Sequence, residues 1–152
     1  MTYTEIKTRN ENEYFYRVIS IRDGNKVKKK RIYLGSNLDK NTLSKKELKA
    51  DELFLKERIR NNIIRIKPQI IRILTKYKVK RASLFGSYTR GGQKKDSDID
   101  ILIEPPKGIG LKFVGIALDL ERALNKKVDL LTYNGINPHI KKYIMKDEIK
   151  IL

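Results

Sequence analysis

The stretch that decides the fold runs from residue 79 to residue 103 and reads VKRASLFGSYTRGGQKKDSDIDILI. Its apolar segment at 79–85 and its alternating segment at 98–103 each predict a β-strand. The glycine-rich segment at 86–92 between them predicts a turn, because glycine permits backbone conformations that other residues avoid. Two strands joined through this turn would bring the polar residues of the turn close to those of the second strand.

Two aspartates, Asp98 and Asp100, stand at alternate positions of the second strand. Side chains two residues apart in a strand point to the same face, about 7 Å apart along the backbone. Two ionised carboxylates at this spacing repel each other, and a hard cation such as Mg²⁺ relieves the repulsion. A third aspartate, Asp129, lies in another predicted strand at 127–132, and it reaches the same edge if the two strands are neighbours.

The turn has the features of a phosphate site. Gly86 lets a ligand approach the backbone closely, and Ser87 offers a hydroxyl and a backbone N–H. If the next residues open a helix, its free N–H groups and dipole favour a phosphate there. The turn is not a Walker A loop, because no Gly-Lys-Ser/Thr follows at the required spacing. Metal-binding carboxylates beside such a turn suit transfer chemistry on a nucleoside triphosphate.

Together these residues resemble the nucleotidyltransferase superfamily that includes DNA polymerase β. The shared pattern is G-S-x-x-R-G, then S-D-x-D, then a later strand aspartate. The length and the segment KVDLLT are most similar to the minimal nucleotidyltransferase (MNT) members, which are often antitoxins paired with HEPN toxins. The resemblance covers about residues 63–152 and implies the nucleotidyltransferase fold.

The resemblance also implies a role for each motif residue. Asp98, Asp100 and Asp129 would be the catalytic carboxylates and the metal ligands, while Gly86, Ser87 and Arg90 would bind the nucleotide. Arg90 could instead be a structural cation paired with Asp96 or Asp98. The implied cofactor is Mg²⁺, with two ions, and the implied substrate is ATP. The implied reaction moves AMP onto a macromolecular hydroxyl, namely a tyrosine of a partner HEPN toxin.

Two other functions remain open on the residues alone. One is a binding module that holds a toxin or nucleic acid without catalysis. The other is an enzyme that adds nucleotides to an RNA 3′ end. Substitution of the aspartates separates catalysis from binding, because only catalysis requires the carboxylates.

The N-terminal residues 1–62 lie outside the resemblance. Segments 13–22 and 27–34 predict a β-hairpin around the Asp23-Gly24-Asn25 turn, and residues 1–12 are expected to be unstructured. The return strand carries a basic run that could contact nucleic acid or a partner, or could simply protect an edge strand from aggregation. The run consists of Lys28, Lys29, Lys30 and Arg31.

A long helical pattern follows the hairpin. Ser44 and Glu47 have the spacing of a capping box, which predicts the start of the helix. Pro68 would end this helix, kink it, or begin a new one. Further helices are predicted over 109–124 and after Asn137, which is followed by proline. The order predicts an α+β layered fold, a small mixed sheet flanked by helices, with domains at 1–62 and 63–152.

The amino-acid composition excludes several kinds of catalytic and metal site. The 152 residues include no cysteine and one histidine, so disulfides, thiolate nucleophiles and His-only metal sites are excluded. Lys and Arg number 35 against 18 Asp and Glu, and the net charge of +17 suggests an anionic partner. There is no apolar run of membrane-spanning length and no signal-peptide pattern, so we expect a cytoplasmic protein.

Overall fold

The computed structural model describes residues 1–94 and 96–152, and the chain forms two compact units. These units are Met1–Glu57 and Arg58–Leu152. The boundary between the units falls at residues 57 and 58, within one long helix. The sequence analysis placed a domain boundary between residues 62 and 63. Each unit is described by itself.

The secondary structure consists of seven strands and four helices in the described residues. The first unit holds β1 (Thr2–Arg9), β2 (Asn12–Asp23), β3 (Lys26–Ser36) and the first part of α1 (Lys40–Lys76). The second unit holds the rest of α1, then β4 (Arg81–Phe85), α2 (Ser87–Arg90), β5 (Ile99–Glu104), α3 (Lys112–Leu124), β6 (Val128–Thr132), α4 (Pro138–Asp147) and β7 (Ile149–Lys150).

The first unit contains a three-stranded antiparallel sheet in the order β1-β2-β3. The predicted hairpin is confirmed, because β2 pairs with β3 in antiparallel register. The expectation of an unstructured segment at 1–12 was wrong, because β1 adds a third strand to the hairpin. β1 and β2 are joined through Asn10 and Glu11, both with positive φ, at 49° and 62°. Glutamate rarely adopts that conformation, so the sequence carried no recognisable turn signal here.

Helix α1 begins one turn earlier than predicted. The Asp39 carboxylate accepts hydrogen bonds from the backbone N–H groups of Asn41 and Thr42, each at 3.0 Å, and so caps the helix. The predicted capping box at Ser44 and Glu47 is wrong. Glu47 instead accepts a hydrogen bond from the Thr4 hydroxyl of the sheet.

Helix α1 also continues through Pro68 without ending. Proline lacks an N–H, so the carbonyl of Ile64, four residues earlier, loses its helical partner. The Ile64 side chain is 55% exposed, which places this side of the helix toward solvent. Buried residues on the opposite side, including Ile63 and Ile70, hold the helix together across the proline.

The second unit is built on a four-stranded mixed sheet in the order β6-β5-β4-β7. β5 is antiparallel to β4 and parallel to β6. One face of the sheet buries Ile99, Ile101 and Ile103 of β5 in the core, where buried residues of α1 and α3 also pack. The other face carries Leu102 in a smaller cluster with Phe85, Tyr133 and Ile136. The predicted mixed sheet flanked by helices is confirmed.

The last part of the chain forms helix α4 and strand β7. The Asn137 side chain accepts a hydrogen bond from the His139 N–H at 3.0 Å, which confirms the predicted cap of α4. The two-residue strand β7, too short to show a pattern, pairs with β4. None of the helices in the described part of the chain is long and apolar enough to cross a membrane.

Replacement of Pro68 by alanine is expected to stabilise the protein. The substitution Pro68→Ala restores the missing N–H at an exposed position of α1 and removes the proline ring. We expect a gain of about 1–2 kcal/mol, less than the full helix-interior cost of proline because the unfolded chain also becomes more flexible. Urea denaturation measures the gain, and the neighbouring exposed Gln69→Ala serves as control. A loss of stability in Pro68→Ala would contradict an intact helix at this point.

Candidate active site

Three neighbouring strands place the residue before the glycine turn, Asp100 and Asp129 in one row across the sheet. Asp100 of β5 pairs with Phe85 of β4, the residue that precedes the glycine turn. On its other side Asp100 pairs in register with Asp129 of β6. Adjacent strands lie about 4.8 Å apart, so the two carboxylates are direct neighbours. Asp98 lies just before the start of β5.

The burial pattern turns these carboxylates away from the core. Ile99 and Ile101 are fully buried on the helix-covered face, while Asp100 between them is partly buried on the opposite face. Asp98 and Asp129 are exposed. The strand therefore has an apolar face that fixes its position and a carboxylate face that is open to a ligand.

The glycine turn lies directly against Asp100. Gly86 has φ 72°, and a Cβ at this position would lie 2.7 Å from Asp100 Cγ and even closer to Oδ2. The next residue, Ser87, donates its backbone N–H to the Asp100 carboxylate. The turn continues as the short helix α2, in which the Thr89 hydroxyl donates to the Gly86 carbonyl at 3.0 Å. The turn and the carboxylate thus hold each other in place.

The electrostatics of the row are unfavourable without a cation. Burial raises the pKa of the Asp100 carboxyl above its ordinary value, and the negative charges of Asp129 and Asp98 raise this pKa further. The Ser87 N–H and the Arg90 charge act in the opposite direction without reversing the shift. The three carboxylates therefore form a site that a positive charge would stabilise.

Arg90 pairs with neither of the aspartates that the sequence analysis offered as its structural partner. Its side chain, 61% exposed, pairs with Asp147 of α4 at 3.6 Å, not with Asp96 or Asp98. The expectation of a partner on the motif loop was wrong because α2 points Arg90 toward α4. The side chain still lies near enough to Asp100 to lower the pKa of that carboxyl.

One residue that supports the turn was missed by the sequence analysis. Arg58 of α1 donates a side-chain hydrogen bond to the Gly91 carbonyl at the end of α2. Gly91 itself has φ 70°, a left-handed conformation that suits glycine. A basic residue on a basic helix carries no sequence signal for this contact.

The predicted basic run does not form one surface. Lys30 pairs with Glu57 of α1, on the side of the sheet that the helix covers. Lys29 lies over the Tyr3 ring at 5.8 Å, and Arg31 pairs with Glu5 at 2.9 Å, both on the opposite face. Consecutive residues of a strand point to opposite faces, so Lys28 lies with Lys30 on the face of the sheet that α1 covers.

Known proteins are similar to this chain over its second unit. Residues 68–152 match the family described as Polymerase beta, Nucleotidyltransferase. The chain belongs to this nucleotidyltransferase family. It is 50% identical over 92 residues to a candidate protein adenylyltransferase of Methanocaldococcus jannaschii, with 60% of this chain and 99% of that protein covered. It is 32% identical over 77 residues to the protein adenylyltransferase MntA of Thermococcus cleftensis, covering 50% of this chain and 78% of that protein.

Solved structures agree with the family assignment. A crystal structure of a toxin–antitoxin complex with AMP-PNP contains a chain that superposes with a TM-score of 0.51 at 26% identity, covering 57% of this nucleotidyltransferase and 72% of that chain. A candidate minimal nucleotidyltransferase superposes with a TM-score of 0.52 at 25% identity, covering 60% and 93% of the two chains. The fold and the transferase class of this nucleotidyltransferase are thereby shown.

The residues of the site fit a divalent cation of the kind that nucleotidyltransferases use. In the described part of the chain, no three acidic or histidine side chains enclose a metal position by themselves. Mg²⁺ is usually held by one or two carboxylates together with water and substrate phosphates. The donors here are hard carboxylate oxygens, and the Gly86 backbone leaves the Asp100 carboxylate uncovered where a Cβ would occupy the space.

An alanine at Gly86 is expected to weaken nucleotide binding, whereas an alanine at Gly92 is expected to have no effect on it. In Gly86→Ala the added Cβ collides with the Asp100 carboxylate and strains a positive φ. We expect the Kd for ATP with Mg²⁺ to rise about tenfold or more, which corresponds to about 1.4 kcal/mol. Isothermal titration calorimetry measures this change. A Cβ at Gly92 meets no atom within 4 Å, so Gly92→Ala should bind as the wild type does. Equal affinities for both variants would contradict the close packing of Gly86 on Asp100.

Loss of one carboxylate is expected to stabilise the metal-free protein. Because the pKa of Asp100 is raised in the folded state, ionisation of Asp100 lowers folding stability as pH rises through that pKa. Asp129→Asn removes one repulsive charge and should raise Tm in EDTA at pH 7 by about 1–3 °C, a small effect because exposed charges are screened.

Differential scanning calorimetry with and without Mg²⁺ and ATP checks the Asp129→Asn prediction. The gain in Tm should shrink as pH falls through the raised pKa of Asp100, because a protonated Asp100 no longer repels a charge on its neighbour. The exposed Glu104→Gln at the far end of β5 is the control and should not change Tm. A lower Tm for Asp129→Asn in EDTA would show that Asp129 is a stabilising residue in its own right.

Proposed function

We propose that this nucleotidyltransferase moves AMP from ATP onto a tyrosine hydroxyl of a partner HEPN toxin, and so acts as an antitoxin. The observation that carries the proposal is the row formed by the glycine turn, Asp100 and Asp129 on adjacent strands. The names of relatives support a protein as the acceptor, because two of them are protein adenylyltransferases by name. A superposed chain from a toxin–antitoxin complex with AMP-PNP supports the toxin partner and the adenine nucleotide.

A cavity beside Asp98 has the size of a nucleotide site. Its volume is about 690 Å³, and its lining also includes Lys126 and Lys127, which come just before β6. This volume lies within the range of small-molecule sites, and lysines at its edge match the charge of phosphates. Asp98 and Asp100 would hold Mg²⁺, with two ions expected in the family. When bound, the metal supplies charge neutralisation for the triphosphate.

The protein residues then perform positioning and proton transfer. The Gly86 backbone lets the triphosphate approach Asp100, while Ser87 N–H keeps this carboxylate in one orientation. The acceptor oxygen attacks the α-phosphorus in line with the leaving pyrophosphate, so one P–O bond forms as another breaks. Asp129 is exposed beside Asp100, and it accepts the proton of the attacking hydroxyl.

Arg90 exchanges one partner for another in this scheme. In the structure it pairs with Asp147, which ties the turn to α4. A triphosphate placed beside the turn carries more negative charge than the Asp147 carboxylate and offers the exposed guanidinium a stronger partner. We therefore assign Arg90 to nucleotide binding through exchange of its Asp147 partner.

A transfer assay tests the proposal. The full chain is incubated with ATP labelled at the α-phosphate, Mg²⁺ and extract from the source cells, and the products are treated with protease or nuclease. We expect label on a protease-sensitive band, reduced about 100-fold or more in the Asp98→Asn, Asp100→Asn double variant, since loss of catalytic positioning costs at least this factor.

A matched substitution separates catalysis from general charge effects. Glu104→Gln removes an exposed carboxylate from the far end of the same strand and should retain the transfer rate. Label on RNA instead of protein would replace the proposal with RNA 3′-end transfer. Absence of label with all four nucleoside triphosphates would leave the chain as a binding module.

A further inference from the structure

The first unit gathers half of the tyrosines of the chain on one face of its sheet. The face opposite α1, called the open face here, is defined by alternate residues of the three strands. Its tyrosines are Tyr3, Tyr14, Tyr16 and Tyr33, out of 8 in the whole sequence. Tyr16 and Tyr33 are cross-strand partners with ring centroids 5.3 Å apart and an interplanar angle of 48°.

These rings are only partly used for packing within the unit. Aromatic cross-strand pairs stabilise a sheet, and Val18, which pairs with Tyr3 in the strand register, is fully buried. Tyr33 nevertheless remains 53% exposed at the sheet surface. An exposed aromatic surface of this kind presents flat faces on which other planar groups can stack.

Cations surround the tyrosines. Lys7 lies over the Tyr16 ring at 5.5 Å, and Lys29 lies over the Tyr3 ring at 5.8 Å. Strand alternation adds Arg31, and Arg22 further along β2. In the part of these strands that the structure describes, Glu5 is the carboxylate on this face, and its pKa is lowered by the hydrogen bond from Arg31. Positive charge therefore exceeds negative charge on the open face.

We propose that the open face binds single-stranded nucleic acid. Bases would stack on Tyr16 and Tyr33, while Lys29 and Arg31, in the same strand as Tyr33, hold the phosphates. Arg31 would exchange its Glu5 partner for a phosphate. Stacking of bases on aromatic side chains together with a cationic track is how sequence-tolerant single-strand binding is achieved. A duplex keeps its bases stacked on each other, so it cannot use the tyrosine faces. This activity is separate from nucleotidyl transfer and uses none of the carboxylates of the second unit.

The alternation of the basic run supplies a matched pair of variants. Lys29→Gln with Arg31→Gln removes two charges from the open face. Lys28→Gln with Lys30→Gln removes two charges from the same strand on the side of α1, where Lys30 already pairs with Glu57. Both double variants lower the net charge equally, so general attraction by a basic protein affects them alike.

Fluorescence anisotropy with a labelled 20-nucleotide oligouridine, the full chain and varied salt tests the proposal. We expect the Lys29/Arg31 double variant to bind about tenfold more weakly, with a log–log salt slope shallower by about 1.4, since each phosphate contact on a single strand contributes about 0.7. The Lys28/Lys30 double variant should keep both the affinity and the slope of the wild type. Equal losses in the two variants would overturn the proposal.

Substitution of the stacking residues gives a second readout. Tyr16→Leu with Tyr33→Leu keeps apolar side chains on the sheet and removes the aromatic faces, so loss of the cross-strand pair should lower Tm by only about 1–4 °C. We expect affinity about fivefold to thirtyfold lower with an unchanged salt slope, in line with the effect of losing base stacking.

Three outcomes would count against the open face as a nucleic-acid site. One is equal or tighter binding to a duplex of the same length, and another is unchanged affinity in the tyrosine variant. The third is absence of oligouridine binding at about 50 mM salt, where phosphate contacts are strong. If, in that case, the Lys29/Arg31 variant loses an association with an acidic protein, the open face serves a protein partner instead.

Discussion

The mixed pairing of β5, antiparallel to β4 on one side and parallel to β6 on the other, is the constraint on which the site depends. It sets Phe85, Asp100 and Asp129 side by side across three strands. A slip of one residue would turn Asp100 into the core and an isoleucine out to the ligand. Burial of Ile99 and Ile101 makes that slip costly, so the packing that stabilises the sheet also positions the carboxylates.

The same row is unfavourable as a purely structural feature. Asp100 is partly buried among like charges, and its pKa is raised as a result. Gly86 adopts a positive φ directly against this carboxylate, where any side chain would collide. Neither feature improves packing, and each leaves room and charge for a ligand. Charge repulsion and backbone strain, which lower stability locally, tend to concentrate at functional sites, because the surrounding fold is stable enough to maintain them.

The site was more predictable from the sequence than the N-terminal unit was. The motif residues are recognisable because a glycine turn followed by alternating aspartates is a specific combination, and the strand periodicity predicted their shared face. The contacts of Arg90 and Arg58 could not be predicted, since each depends on a residue distant in sequence. Family membership rests on the matched residues 68–152, whereas the individual roles of the aspartates belong to the proposed function.

Two features of the secondary structure carried no signal in the local sequence. β1 escaped prediction because its turn uses Asn10 and Glu11 at positive φ without a glycine. The helical pattern likewise gave no sign that α1 would pass through Pro68, since the compensation comes from buried residues on the other side of the helix. Propensity describes each residue alone, while packing decides between the alternatives.

The distribution of charge follows from the pleat of the sheet. Consecutive side chains of a strand point to opposite faces of the sheet, so the basic run is divided between the two faces. On the side of α1, Arg17 is held by Asp51 at 2.6 Å and Lys30 by Glu57, and the helix supplies the compensating charge. On the open face, Glu5 stands against several cations and an aromatic surface. The net charge of +17 therefore acts on a partner only where acidic side chains do not already balance it.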